Sequence, residues 1–227
     1  TKSMNHNNTI LGIETSSNIC GISLIEDGAF IDSIDELKSK HHAEILPQLY
    51  KELQVRTNFS LNNIDALAIS IGPGSFTGLR IGLSFTKGLA FSKNLPIIPI
   101  STMMALAYNS RKFLPSLGII HSHAERVFYQ KIRWKNKVPF PFGDIKVSEW
   151  GTFLNQIDQT ENIFQLNCEK LDNSSGFIST SLSSSSIGIL ANINYDEMVI
   201  DKPYDLVPNY VSPFAVNKKN ELKKSRY

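Results

Sequence analysis

The fold is decided by residues 66–82, which read ALAISIGPGSFTGLRIG. Residues 66–71 form an apolar run of strand length, and such a run predicts a strand that is covered on both faces. The Gly-Pro-Gly turn at 72–74 ends this strand, because proline fixes φ and glycine permits backbone angles that other residues resist. Ser75 can then cap a helix that carries the following apolar residues to about residue 92.

Two interpretations of this strand-turn-helix unit remain open. It places backbone N–H groups at the carboxyl end of a strand, where open α/β sheets bind ligands or partners. Alternatively, the unit serves close packing. Each glycine inside a helix lowers helix propensity by ~1 kcal/mol, so we expect a compensating reason for Gly78, Gly82 and Gly88, namely the close approach of another backbone. The unit is not a Walker A loop, because no Gly-Lys-Ser/Thr follows the glycines. It also misses the Gly-x-Gly-x-x-Gly pattern, because its third glycine comes one residue late.

The overall charge of the chain is nearly balanced. Its 227 residues carry a formal net charge of +2, which is too small to indicate nucleic-acid binding by itself. Basic residues cluster near the C-terminal end, at Lys218, Lys219 and positions 223–226. We expect a solvated tail there, and contact with a nucleic acid is the alternative interpretation.

The composition is typical of a globular protein of the cytoplasm. The two cysteines, Cys20 and Cys168, are far apart in the sequence, which favours a reducing compartment over a disulfide framework. No apolar window of about 18 residues predicts a transmembrane helix. Residues 1–8 are polar and lack the apolar core of a signal peptide. We therefore expect a cytoplasmic protein with no membrane contact.

The N-terminal half predicts one lobe, at residues 1–110. Apolar patterning and turn signals predict strands at 10–14, 19–25, 29–37, 66–71 and 96–100, and helices at 42–55, 75–92 and 101–112. Hairpins followed by crossovers give a mixed five-stranded sheet with helices on its faces. This order of elements is that of one lobe of the actin, sugar-kinase and Hsp70 ATPase superfamily.

The C-terminal half, residues 111–227, predicts a smaller and divergent lobe that matches a duplicate of the first only loosely. Strands are predicted at 117–122, 127–135 and 162–166, helices at 148–157 and 179–192, a Pro-rich loop at 136–143 and irregular chain at 203–211. Ser148 is the predicted cap of the first of these helices.

Three stretches carry a resemblance to a known family: ILGIETS at 10–16, GPGSFTGLRIG at 72–82 and PIIPIST at 96–102. With these motifs the chain resembles the TsaB (YeaZ) family over roughly residues 9–107, and more weakly at 120–129 and 208–211. The resemblance implies a two-lobe α/β fold of the actin-like, Hsp70-ATPase-like (ribonuclease H-like) type. The implied C-terminal lobe is reduced.

The resemblance also implies a function in tRNA modification. Members of the family take part in forming N6-threonylcarbamoyladenosine at position 37 of tRNAs that read codons beginning with A. They bind the TsaD transferase subunit as a scaffold and activator, the ATPase TsaE joins the complex, and tRNA is reached through that complex. The resemblance implies no cofactor for this chain itself. It assigns the binding of ATP-Mg²⁺ to the assembled complex. A homodimer through the same helical face is implied for the chain alone.

Two segments depart from the family pattern. Many members read Ile-Asp-Ala-Arg where this chain reads Ile120-His121-Ser122-His123. The family's Tyr-x-Arg near the C-terminus is matched by Tyr210-Val211-Ser212, without the arginine. Roles of the family's polar residues at these positions are therefore not carried over to this chain.

An enzymatic alternative rests on the end of the first strand. Glu14, Thr15 and Ser16 lie where ATPases of this superfamily hold Mg²⁺ and phosphates, so a small ATPase or kinase-like enzyme using Glu14 and the 15–17 turn is the second hypothesis. A retained turn that caps backbone groups is the competing interpretation. Residues 117–135 show no matching second phosphate hairpin. We therefore assign no catalytic residue and expect no catalysis by the chain alone.

The histidine pattern does not predict a metal site. His41 and His42 are adjacent, so their rings point in different directions. His121 and His123 could share a strand face, but no third ligand is near them in the sequence.

Partner binding is assigned to the two helices at 42–55 and 75–92, which should lie side by side on one face of the sheet. The predicted contact residues are Leu46, Leu49, Thr77, Arg80, Ile81, Gly82 and Phe85. The glycines of the second helix would allow a partner helix to cross closely. The alternative is that the apolar members of this set simply cover the sheet.

Overall fold

Two sheets of five strands each form the framework of the computed structural model, which describes residues 8–37, 41–158, 161–171 and 176–211. The predicted basic tail lies outside the described residues. The N-terminal elements are β1 (Thr9–Glu14), β2 (Ile19–Glu26), β3 (Ala29–Leu37), α1 (His42–Thr57), β4 (Ala66–Ser70), α2 (Phe76–Lys93), β5 (Ile97–Ile100) and α3 (Thr102–Asn109). A 3₁₀ turn, Leu61–Asn63, precedes β4.

The N-terminal sheet has the strand order β3-β2-β1-β4-β5. The β1–β2 and β2–β3 pairs are antiparallel, whereas β1–β4 and β4–β5 are parallel. This confirms the predicted mixed sheet, with every strand within about two residues of its expected ends. The last helix is shorter than predicted: it ends at Asn109, and the hydroxyl of Ser101 makes no capping hydrogen bond.

The C-terminal elements are β6 (Leu117–His121), β7 (Arg126–Lys135), β8 (Val138–Glu149), α4 (Trp150–Gln156), β9 (Ile163–Leu166), β10 (Ile178–Ser179), α5 (Ser184–Ile193) and α6 (Tyr195–Met198). Short 3₁₀ turns lie at Cys168–Lys170 and Pro203–Asp205. The weak helix expected from residue 179 begins only at Ser184, because residues 178 and 179 pair with β9 as a short strand.

The Pro-rich loop predicted at 136–143 is wrong, since most of it belongs to β8. Asn136 and Lys137 both have positive φ and form the tight turn of a long β7–β8 hairpin. Pro139 and Pro141 are tolerated because β8 is an edge strand, where a missing N–H need not break the ladder. Ser148 pairs with Val127 inside this strand and does not cap the next helix.

The second sheet repeats the topology of the first. Its order β8-β7-β6-β9-β10 has two antiparallel pairs on one side and two parallel pairs on the other, as in the N-terminal sheet. The helices are what is reduced: α4 has 7 residues where α1 has 16, and the turn at Cys168–Lys170 stands where α2 has 18. The predicted loose match to a duplicate therefore applies to the helices and not to the sheet.

One helix of each half, α3 and α5, packs on the sheet of the other half. Helix α3 contacts β6 and β8, α5 contacts β1, β2 and β3, and the two helices contact each other. Leu106 on α3 and Leu190 on α5 are buried in one cluster with Ile10 and Phe164 from the two sheets. The two sheets thus share a core, and the boundary at residue 110 stays a prediction. None of the helices in the described residues is long and apolar enough to span a bilayer.

Leu190→Ala tests the shared core. Leu190 is 2 % exposed, so truncation should lower the free energy of unfolding by about 2–5 kcal/mol. Urea titrations should show the fluorescence of Trp134 and Trp150 changing together with the far-ultraviolet circular dichroism in one transition. Ile193→Ala on the same helix is the control, because Ile193 is 44 % exposed and should cost much less. Separate transitions for the two signals would contradict a shared core.

Candidate functional site

The start of α2 is closed by the chain itself. The amide of Ser75 donates a hydrogen bond of 2.7 Å to the carbonyl of Ser16, and the Ser75 hydroxyl accepts from the amide of Gly78 at 3.2 Å. The amide of Leu79 donates to the Ser75 carbonyl at 2.9 Å. The predicted N-cap is therefore confirmed. The amides of Ser75 and Gly78, which an anion at this helix start would need, are therefore already bonded within the protein.

The glycines of α2 face the turn that follows β1. A Cβ on Gly78 would lie 2.0 Å from the carbonyl oxygen of Thr15, and one on Gly82 would lie 2.1 Å from the Thr15 hydroxyl. Both glycines are buried, so they are needed for packing inside this chain and not for the crossing of a partner helix. Gly88 is different, because it is exposed and has open space where its side chain would be.

Glu14 lies beneath this closed turn and is fully buried. Its Oε1 accepts hydrogen bonds from the amide and hydroxyl of Ser16, at 2.5 and 2.6 Å. Oε2 lacks a partner of normal hydrogen-bond geometry among the described residues, although the hydroxyl of Ser70 is near enough to lower the pKa. Burial outweighs these contacts and raises the pKa of Glu14 to about 7.

A cleft of about 700 Å³ separates the start of α2 from the second sheet. Ser16, Ser17 and Asn18 line it, while Glu14 does not; the other lining residues include His42, Thr77, His121, His123 and Lys170. The suggested nucleotide site at Glu14, Thr15 and Ser16 is therefore divided, since Ser16 reaches the cleft and the carboxylate is shielded from it.

The histidines of this cleft contact other protein groups. The Nε2 atoms of His42 and His121 lie 3.1 Å from the carbonyl of Ile19 and 2.9 Å from that of Ala124. His121 ends β6 while His123 follows in the loop, so the expectation of one shared strand face is wrong. Among the residues that the structure describes, no three His, Cys, Asp or Glu side chains come together as metal ligands.

The outer surface of α1 and α2 carries a shallow groove of about 350 Å³. Its lining residues are Ala43, Leu46, Pro47, Arg80, Ile81, Ser84 and Phe85. Of the predicted partner-binding residues, Thr77 and Arg80 are exposed, and Ile81 and Phe85 are half-buried. Leu46, Leu49 and Gly82 are buried. These three support the surface from below, because their side chains or backbone pack against the sheet or the Thr15 turn.

A segment of predicted irregular chain covers the side of α2. We name residues 203–211 the strap. The amide of Asn209 donates to the Ile71 carbonyl at 2.7 Å, and Lys87 Nζ donates to the Tyr204 carbonyl at 2.7 Å. Arg80 Nε donates to the Tyr210 hydroxyl at 3.0 Å, while its guanidinium lies 3.8 Å above the ring of Phe76. Arg80 is therefore held in place at the end of the groove.

Known proteins resemble this chain in sequence and in fold. The family model of TsaD, tRNA N6-adenosine threonylcarbamoyltransferase, matches residues 34–130. The TsaB proteins of Bacillus subtilis and Haemophilus influenzae are 30 % and 33 % identical over 66 % of the chain, which spans 68 % and 63 % of their lengths. Across the first three curated relatives that it matches, the chain spans 42–63 % of their length. YeaZ from Pseudomonas aeruginosa superposes with a TM-score of 0.77 at 20 % identity, over 89 % of this chain and 99 % of that one.

The duplicated sheets define a two-lobe protein of the actin-like class, which confirms the predicted fold. Within that class the chain belongs to the TsaB family, whose curated members are named tRNA threonylcarbamoyladenosine biosynthesis proteins.

Gly78→Ala tests the closed turn. The new methyl group would meet the Thr15 carbonyl, so it should lower the free energy of unfolding by about 1–3 kcal/mol despite its better helix propensity. Gly88→Ala is the matched control on the same helix and should raise it by up to about 1 kcal/mol. Chemical denaturation measures both values, and equal stabilisation by both substitutions would contradict the packing role.

Glu14→Gln tests the buried carboxyl group. Below pH 4.5, the ordinary pKa of this group, Glu14 is neutral in both states. Between pH 4.5 and 7 the unfolded chain loses the proton while the folded chain keeps it, so stability falls as the pH rises and then levels off. The stability of Glu14→Gln relative to the native chain should therefore increase by about 3 kcal/mol across this range. Chemical denaturation of both proteins at several pH values measures this difference, and a difference that stays constant from pH 4.5 to 7 would contradict the raised pKa of Glu14.

Proposed function

We propose that this chain is a non-catalytic partner subunit in the formation of N6-threonylcarbamoyladenosine in tRNA. Its partner is the TsaD-type transferase, and the TsaE-type ATPase joins the assembled complex in the cytoplasm. This chain supplies a docking surface for the transferase. The tRNA binds to the assembled complex, through the partner subunits and through any residues of this chain that contact it. Membership of the TsaB family supports this role, since its curated members carry that biosynthetic name.

The observation that carries the proposal is the apolar groove between α1 and α2. Its rim combines the exposed Pro47 and Ser84 with the half-buried side chains of Ile81 and Phe85. Apolar surface of this kind is stabilised by a second protein surface that excludes water from it. A pair of helices packing on the groove would complete a four-helix contact.

The match between residues 34–130 and the TsaD family model suggests which helices the partner presents. The matched segment includes both α1 and α2, so a transferase with the same lobe has an equivalent pair of helices. Two equivalent surfaces can associate around an approximate two-fold axis. The same geometry allows two copies of this chain to form a homodimer, which would compete with the transferase for the groove.

The hydrolytic alternative receives little support from the site. Glu14 is shielded from the cleft and bonded to Ser16, and the Ser75 and Gly78 amides at the start of α2 are bonded within the chain. A carboxylate that positions Mg²⁺ through water must reach solvent or substrate. ATP turnover by the chain alone that is lost in Glu14→Gln would nevertheless overturn the non-catalytic proposal.

Ser84→Trp tests the docking surface. Ser84 is exposed in the groove, so a large side chain should fill it and reduce co-purification with the organism's TsaD-type protein at least tenfold, while the fold is kept. Replacing Arg80 or Gly82 is less informative, since the first would release the strap and the second would strain the Thr15 turn.

Ser92→Trp is the matched control, because Ser92 is exposed on the same helix about 12 Å further along its axis. It should leave co-purification unchanged. In cells depleted of the native chain, Ser92→Trp should restore threonylcarbamoyladenosine in total tRNA nucleosides and Ser84→Trp should not. Normal association and rescue by Ser84→Trp would place the contact elsewhere.

A further inference from the structure

The β7–β8 hairpin concentrates positive charge. Residues 126–149 contain six basic and two acidic residues, a net charge of +4, whereas the entire chain carries +2. Arg126 pairs with Glu149 at 2.7 Å and Lys131 pairs with Glu161 at 3.0 Å. The unpaired positive charge therefore lies toward the far end of the hairpin, which is the end that carries the turn at residues 136–137. This end lies beyond the part of the sheet against which α4 packs.

Three cations remain at this far end. Arg133 and Lys135 are exposed and two residues apart on β7, so their side chains leave the same face of the sheet about 7 Å apart. Lys137 is exposed in the adjoining turn. Within the described part of the chain, none of the three has an acidic side chain at salt-bridge distance. This surface is complementary in charge to a polyanion.

Two exposed aromatic rings lie on the same face. Phe140 is opposite Arg133 and Phe142 is opposite Lys131 in the antiparallel register, so these pairs share one side of the hairpin. The rings are 41 % and 47 % exposed. The Arg133 guanidinium lies 3.5 Å above the centre of the Phe142 ring, which holds it in a fixed position.

We propose that this face of the hairpin, formed by Arg133, Lys135, Lys137, Phe140 and Phe142, binds RNA directly. The cations contact phosphates, and the Phe140 ring stacks on an unpaired base, the combination by which proteins hold single-stranded segments. The choice of RNA among polyanions rests on the proposed function. The contact itself is additional, because it makes this chain a tRNA-binding subunit as well as a docking partner.

The experiment measures fluorescence anisotropy of a labelled, unmodified tRNA transcript titrated with the full chain at several salt concentrations. Arg133→Ala/Lys135→Ala/Lys137→Ala should weaken binding on the order of tenfold at low salt. It should reduce the slope of log affinity against log salt by about 2. The control variant Lys93→Ala/Lys112→Ala/Lys202→Ala removes the same charge from exposed positions elsewhere. It should change neither the affinity for tRNA at low salt nor the slope. Both variants keep residues 212–227, so any effect of the basic tail is the same in both.

Phe140→Ala separates stacking from charge. It should weaken binding of a single-stranded oligouridine about tenfold while leaving the salt slope, and the binding of heparin, unchanged, because heparin has charge but no bases. An equal loss of heparin binding would overturn the stacking role. Equal effects of the two triple variants, or tighter binding to vesicles rich in phosphatidylglycerol than to tRNA, would overturn the RNA assignment.

The outcomes for docking and for RNA binding can be told apart. The hairpin variants should co-purify with the TsaD-type protein as well as the native chain does, since the groove lies on the other lobe. Loss of tRNA affinity with normal co-purification supports the inference. Normal tRNA affinity in the first triple variant overturns it whether or not the groove binds the transferase.

Discussion

The hydrogen bond from the Ser75 amide to the Ser16 carbonyl is the contact on which the rest of the N-terminal lobe depends. It joins the turn after β1 to the first turn of α2, and it requires glycine at 78 and 82 so that the helix can lie against Thr15. The direction of α2 then determines the groove that it forms with α1. The same contact buries Glu14, so the residue type that could serve phosphate chemistry becomes part of the protein interior.

The sequence predicted the N-terminal lobe well because its signals are local. Strand-length apolar runs, a hairpin glycine and the serine before α2 each act within a few residues. The second lobe was harder to predict because its long hairpin has an edge strand that contains two prolines. In sequence, these prolines are indistinguishable from those of a loop, and only the sheet order shows that their missing N–H groups can be accommodated.

The candidate site was only partly predictable, for a different reason. Apolar helical spacing predicts α1 and α2, but spacing alone does not show which apolar residues face the sheet. The predicted contact set therefore includes Leu49, which is buried and does not line the groove, beside Leu46, which lines its floor. The role of Gly82 depends on Thr15, which is far from it in the sequence. The bond between Arg80 and Tyr210 joins residues 130 positions apart. The strap has only weak signals in the sequence: two tyrosines in an otherwise irregular segment, and the family resemblance at residues 208–211.

The two lobes show how a duplicated fold can be specialised by its connections. Both sheets keep the same strand order, while the helices that cover the second are shortened. Helix α5 is held on the first sheet by polar contacts as well as by packing: the Ser184 amide donates to Asp35 at 3.0 Å, and the Ser23 hydroxyl donates to the Ser184 carbonyl at 2.8 Å. Burial raises the pKa of Asp35, so this junction, like Glu14, contains a carboxyl group that is costly to ionise.

The burial of both cysteines has a practical consequence for measurement. Cys20 and Cys168 are at most 1 % exposed, and burial raises the pKa of each thiol to about 12, so neither forms a reactive thiolate at neutral pH. A cysteine introduced at the open position of Gly88 would then be the site that a maleimide dye labels. Such a dye would lie one helical turn from Ser84, where the arrival of a protein on the groove would change its fluorescence without disturbing the native thiols.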